Sequence, residues 1–247
     1  GLASEYILLP LITILMILLF KPAPSFALGM ILLTTCPGGS VSNYMVHLSK
    51  GNTALSITLT SVTTLAAVVL TPLGFTLLAQ FFPSTAHLLR TIDVDIFEVI
   101  KSIFAMIVLP LTLGMICRAQ FPKITAKINR PISTLSMIVF LSFVAGAIVS
   151  NWANISAYVH CVFFVIALHN GLALLAGFSF ARLMGLNKSD SRAISIETGI
   201  QNTALGLAIT FQFFDGLGGM ALVLAWWGIW HLFSGFLLAL LWRRKPI

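Results

Sequence analysis

The sequence predicts an all-α polytopic membrane protein on three observations: 58% of its 247 residues are hydrophobic, only 9% are charged, and the mean hydropathy is +1.02. A soluble domain cannot hide that much apolar surface, so lipid is the expected solvent. A bilayer core about 30 Å thick asks a helix for roughly 20 apolar residues. About eight stretches answer, near residues 4–20, 25–49, 53–81, 96–117, 132–150, 155–184, 190–213 and 216–242. The second and seventh are interrupted by polar residues.

The basic residues predict the orientation. With the first segment starting in the cytoplasm, that side receives Lys50, Arg118, Lys123, Lys127, Arg130, Arg182, Lys188, Arg192, Arg243, Arg244 and Lys245, eleven of the 14 Lys and Arg. The outer side receives Lys21, Arg90 and Lys101 together with Asp93, Asp95, Glu98 and Asp215, which is the positive-inside pattern. The carboxyl terminus is therefore expected in the cytoplasm and the chain in the plasma (inner) membrane. Topology accounts for the net charge of +7, so no nucleic-acid partner is expected. Trp152 and Trp242 fall near predicted helix ends, where indoles favour the headgroup boundary. Cys36, Cys117 and Cys161 lack paired spacing, which argues against both a disulfide framework and a thiolate metal site. The chain opens at Gly1 directly before an apolar helix, and a preceding piece is expected.

Two membrane segments carry a polar knot at mid-depth. The first is the run from Thr34 and Thr35 through Cys36, Pro37, Gly38, Gly39, Ser40, Val41 and Ser42 to Asn43, where proline removes a donor and the glycine pair relaxes the helix. The second is Glu197, Thr198, Gly199, Ile200, Gln201 and Asn202. Freed backbone groups survive at membrane depth only where protein or a polar cavity satisfies them, and matched breaks in two halves point to a transporter site built from inverted repeats. If the second repeat starts near 96, its break at 197 lies about 101 residues in, and an equal first repeat would begin about 63 residues before residue 1. Eight helices then read as ten less two.

A carboxylate at mid-membrane costs roughly 2.5–3.5 kcal/mol on insertion scales and marks an ion or proton pathway. Glu197 is expected to find no basic partner, because every Lys and Arg is placed in a loop or at a helix end. It must then be protonated or bind a cation. Small hard cations take oxygen ligands. Gln201 shares a helical face with Glu197, and Ser56 and Thr60 are likewise four apart, with Thr63 and Thr64 continuing their face. The helix halves restarting near Ser40 and after Asn202 point amino-terminal dipole ends toward the midplane, which favours an anion. His169 and His231, each alone in an apolar helix, read as packed, hydrogen-bonded residues, and no metal-ligand spacing connects them. Paired aspartates and zinc motifs are lacking, and Ser234 follows His231 without an oxyanion-loop signature, so an intramembrane enzyme is not expected.

The run from Cys36 to Asn43, followed by Gly51, Asn52, Leu55 and Ser56, resembles the first crossover of the bile acid:sodium symporter family. Glu197 to Asn202 resembles its second, and the pairs at His169 and Asn170 and at Trp230 and His231 are similar too. The resemblance covers the chain from that family's third helix to its tenth. It implies six core helices and a panel domain lacking its first two, with residues 1–92 the remainder of one inverted repeat and 93–247 the second, made of two panel helices over 96–150 and three core helices over 155–242. It also implies alternating-access symport of an organic anion with Na+, on two ion sites. Ser42, Asn43, Ser56, Thr60 and Glu197 would form one, and Glu197, Gln201 and carbonyls near Thr198 and Ile200 the other. Ser40, Asn202 and His231 would meet the substrate.

Two departures stand out. The family's second site takes a glutamine five residues before a proline, and the matching position before Pro10 is Glu5. A polar residue expected after His231 is Leu232. A second carboxylate near Glu197 would bind cation more strongly or hold a proton through like-charge repulsion, so proton-coupled transport through Glu5 and Glu197 stands as an alternative, and a non-transporting fragment as another.

Overall fold

The computed structural model describes residues 1–92, 96–150 and 152–244. Asp93, Asp95 and Lys245 of the charge pattern lie outside the described residues, as do the side chains of Trp152 and Cys161. The regular structure is helical throughout: α1 (Ser4–Phe20), α2 (Pro24–Thr35), α3 (Val41–Leu48), α4 (Thr53–Gln80), α5 (Pro83–Ile92), α6 (Ile96–Gln120), α7 (Pro122–Ser150), α8 (Trp152–Leu183), α9 (Lys188–Gly199), α10 (Thr203–Phe213) and α11 (Gly218–Arg243). Among the described residues four stretches are long and apolar enough to cross a membrane, Thr53–Gln80, Phe97–Gln120, Val162–Leu183 and Gly218–Arg243, while α1, α2 and α10 are shorter apolar helices. The protein is an all-α polytopic membrane protein.

The predicted spans appear with two differences. Helix α7 starts at Pro122, well before the predicted 132, because the turns bearing Lys123, Lys127 and Arg130 stay helical beyond the apolar run. Helix α5 was not predicted at all. It is amphipathic and too short to cross, and it packs on α2 and α4. A search for apolar spans passes over such a helix.

The middle of the molecule is α2, whose residues from Phe26 to Thr35 are all buried. It leans chiefly on α11, as α9 leans on α8. Glycines set both approaches. A Cβ on Gly29 would lie 2.8 Å from Met220 Cα, one on Gly219 would strike Ser25 and Phe26, and one on Gly177 would lie 3.0 Å from Ser195 Cα. Small residues let membrane helices approach to backbone contact, which is where packing between them is strongest.

Both interrupted segments break where the sequence places the breaks. Cys36 precedes Pro37 and turns extended, with ψ 152°, which ends α2. Ile200 does the same after Gly199, at φ −111° and ψ 99°. The two extended pieces cross and pair as a single antiparallel bridge between Gly38 and Gln201. Gly39 N–H donates to Ile200 O and Asn202 N–H to Pro37 O, each at 2.8 Å. Each break strands a carbonyl, and a long helix supplies its donor. Thr71 Oγ1 of α4 reaches Thr35 O at 2.7 Å, and Asn170 Nδ2 of α8 reaches Gly199 O at 2.8 Å. After the second break the chain restarts on an asparagine cap, Asn202 Oδ1 accepting Leu205 N–H at 3.1 Å to open α10. After the first it restarts as α3 at Ser40 without a side-chain cap, and Asn52 Oδ1 caps the following α4 by accepting Leu55 N–H at 3.0 Å.

Gly29→Val is expected to push α2 off α11 and destabilise the protein by about 1–3 kcal/mol, because the clashing atom is backbone and cannot rotate away. Thermal unfolding in detergent, compared with Gly114→Val, where a Cβ meets nothing within 4 Å, measures it.

Candidate functional site: an oxygen cluster at the crossing

Beside the bridge, α3, α4 and α9 bring together the polar residues that the sequence singled out. Glu197 is fully buried. Its Oε1 is contacted by Ser42 Oγ at 2.5 Å, by Ser56 Oγ and by Thr60 Oγ1 at 3.1 Å, and its Oε2 by Thr60 Oγ1 at 3.0 Å. Asn43 Oδ1 closes the ring, 2.8 Å from Ser56 Oγ and 3.3 Å from Thr60 Oγ1. These six close oxygen contacts must share three hydroxyl protons, one each from Ser42, Ser56 and Thr60. Thr60 Oγ1 also lies 3.0 Å from its own helix carbonyl at Ser56. The cluster is therefore rich in acceptors and short of hydrogens, the composition that suits a small hard cation.

On the other side of Gly38 lies a second set. Glu5 sits in the π-turn Ser4–Leu8 that opens α1, a distortion often found at functional sites. It is 2% exposed, and neither of its oxygens has a hydrogen-bond partner among the described residues. Gln201 Oε1 likewise has none, because the amide is turned so that Nε2 donates to Thr198 O at 3.1 Å. A buried acceptor left unpaired costs about 1–3 kcal/mol, so three together call for a shared positive partner. The Thr198 hydroxyl is spent on Ile194 O at 2.7 Å and touches Ser4 Oγ at 2.6 Å, leaving its carbonyl as the group available to the site. Ile200 O accepts Gly39 N–H and keeps a second lone pair. A Cβ on Gly38 would lie 2.6 Å from Glu197 Oε2 and 3.8 Å from Glu5 Oε2, so the two carboxyl groups flank a position that only glycine leaves open.

Gln201 also lines a cavity of about 270 Å³ with Gly39, Ser40, Val41, Ile200, Asn202, Thr203, Ala204, Ser136, His231 and Leu232. Ser40, Asn202 and His231, expected to meet substrate, thus line the same cavity.

The model of the family described as "Sodium Bile acid symporter family" matches residues 1–158. The chain is 35% identical over 246 residues to the "Uncharacterized sodium-dependent transporter YocS" of Bacillus subtilis, covering 99% of this chain and 73% of that protein. This chain belongs to the sodium bile acid symporter family. It is 30% identical to the Arabidopsis thaliana protein named "Probable sodium/metabolite cotransporter BASS1, chloroplastic", covering 99% of this chain and 59% of that one. With a rice protein named "Probable sodium/metabolite cotransporter BASS2, chloroplastic" the identity is 29%, over 92% of this chain and 55% of that one. The chain thus spans somewhat more than half the length of these plant relatives.

Within this symporter-family chain the structure corrects one expectation and adds residues that sequence reasoning missed. Arg192 is not a surface charge but 3% exposed, its Nη1 donating to Ser49 O at 2.7 Å. No ion pair joins it to Glu197 among the described residues. Ser136 of α7 faces the cavity, and nothing distinguishes it in sequence from other serines of apolar helices. Asn170 and Thr71 serve the stranded carbonyls, and only an amide or hydroxyl inside an apolar run could have hinted at them. His169 is packed as expected, hydrogen-bonded to Thr13 Oγ1 at 2.9 Å and edge-on to Trp227.

Gly38→Ala is expected to displace the Glu197 carboxylate and weaken cation-dependent stabilisation about tenfold or more, the equivalent of some 1.4 kcal/mol. Titrating the melting temperature with cation on both proteins checks it; an unchanged midpoint would show that Gly38 is not there to make room.

Proposed function

We propose that this chain forms the ion- and substrate-binding part of a sodium-coupled symporter that carries an organic anion by alternating access. One observation carries the reading. Six oxygen contacts around Glu197, four of them buried, have three protons to share, and three further buried oxygens, of Glu5 and Gln201, accept nothing among the described residues. Ser42, Asn43, Ser56, Thr60 and Glu197 hold one sodium ion. Glu5, Glu197, Gln201 and the carbonyls of Thr198 and Ile200 hold a second. Relatives whose names state sodium-dependent transport or sodium/metabolite cotransport support the choice of ion.

The anion enters the cavity bounded by Ser40, Asn202 and His231, where the restarting helices α3 and α10 present their amino-terminal ends. Gln201 borders both cavity and ion cluster, so sodium at the crossing places positive charge directly behind the anion. Ion and anion then favour the same arrangement, which is what coupling requires. Residues 1–92 act as the remainder of one inverted repeat and 93–247 as the second, with α6 and α7 as part of the panel against which the core moves. The basic residues put the carboxyl terminus in the cytoplasm and the chain in the plasma membrane.

The first test is thermal stabilisation of the purified protein in sodium, compared with potassium and choline. A ligand that binds only the folded state at one hundred times its Kd adds about 2.7 kcal/mol. A sodium-specific rise is expected, and Glu197→Ala should abolish it. No rise up to several hundred millimolar sodium overturns the sodium assignment.

A further inference from the structure

Asn170 is wholly buried in α8, and its two hydrogen bonds fix which way the amide points. Nδ2 donates to Gly199 O at 2.8 Å, and Oδ1 accepts from Ser234 Oγ of α11 at 2.5 Å. Ser234 has one proton, and its only other acceptor among the described residues, the carbonyl of His231, is 3.3 Å away. The shorter contact takes it. The broken end of α9 is thereby tied, through one α8 side chain, to the turn of α11 that begins at His231 on the cavity wall.

The tie falls where the backbone most needs one. Gly199 has no Cβ, because Leu174 occupies the space a side chain would fill, and glycine is the residue with the widest backbone freedom. The peptide plane joining Gly199 to Ile200 is held from its two sides, by Ile200 N–H donating to Ile196 O at 2.9 Å and by Asn170 on Gly199 O. The planes before and after it carry the Thr198 and Ile200 carbonyls. Without Asn170 this glycine peptide is held from one side only, by the Ile200 N–H bond, and both neighbouring carbonyls are aimed less firmly.

We propose that Asn170 and Ser234 are a positioning relay for the second sodium site: they orient the carbonyls of Thr198 and Ile200, and they make sodium affinity depend on where α11 stands. Neither touches ion or anion. The proposal rests on the sodium reading of the crossing, and the experiment separates the two.

Sodium titrations of thermal stability and of sodium-dependent anion uptake are run on the full-length protein and on Ser234→Ala, Ser234→Thr and Asn170→Asp. Ser234→Ala is expected to raise the sodium concentration for half-maximal effect about threefold to tenfold, the range for one lost hydrogen bond. The anion concentration for half-maximal uptake at saturating sodium should stay as in the parent, and Ser234→Thr, which keeps the hydroxyl, should restore the sodium value. Asn170→Asp keeps the acceptor for Ser234 but loses the donor to Gly199 O, and should shift sodium at least as far. If it fails to fold, the Ser234 pair decides. Variants that melt lower without sodium yet keep the parent's sodium midpoint overturn the relay and leave a structural bond. A parent without a sodium-specific response overturns the sodium reading and the relay with it.

Discussion

Two backbone hydrogen bonds, from Gly39 N–H to Ile200 O and from Asn202 N–H to Pro37 O, are the constraint on which the site depends. A broken helix in an apolar surrounding leaves donors and acceptors that lipid cannot satisfy. Here each break is the other's remedy. The extended piece of one supplies what the extended piece of the other lacks, so neither α2 with α3 nor α9 with α10 makes sense alone. Thr71 and Asn170 add to this by each donating to a carbonyl at a broken helix end, Thr35 O and Gly199 O. The pairing also fixes the register that brings Ser42 on α3 within reach of Glu197 on α9, with Asn43 beside it meeting Ser56 and Thr60.

The charge arrangement follows from that geometry. A carboxylate buried without a basic partner persists only if hydrogen bonds and counter-charge replace its water. Glu197 has the hydrogen bonds from Ser42, Ser56 and Thr60, and its second oxygen looks across Gly38 toward Glu5. One side chain thus borders both oxygen clusters, so the charge of either is felt by the other. Hydroxyls suit the role because they can donate to the carboxylate or turn their lone pairs to a cation.

Much of this was legible in the chain, for physical reasons that can be named. Apolar run length found the spanning helices because the bilayer dictates it, and Pro37 with its glycines marked the first break through lost donors. Glu197 announced itself by the cost of a carboxylate in lipid. Glu5 was found only through the resemblance, since a glutamate near the start of a helix is ordinary until its burial is known. Other features were illegible because they depend on three-dimensional neighbours. The partners of Thr71 and Asn170 are distant in sequence, α5 is too short and too amphipathic for a span search, and Arg192 is a cytoplasmic charge by pattern but a buried donor by packing. The second break was visible as polarity, yet that it would pair with the first required the fold.

Ser136 offers a different consequence. The cavity has most of its walls on tightly packed helices, but this one residue comes from α7, whose described side chains are mostly exposed. Substitutions on α7 disturb few neighbours and leave the crossing intact, whereas almost any change at Gly38, Ser42 or Gln201 strikes the oxygen clusters. The shape of the cavity can therefore be altered from α7 by changes that leave the paired breaks as they are.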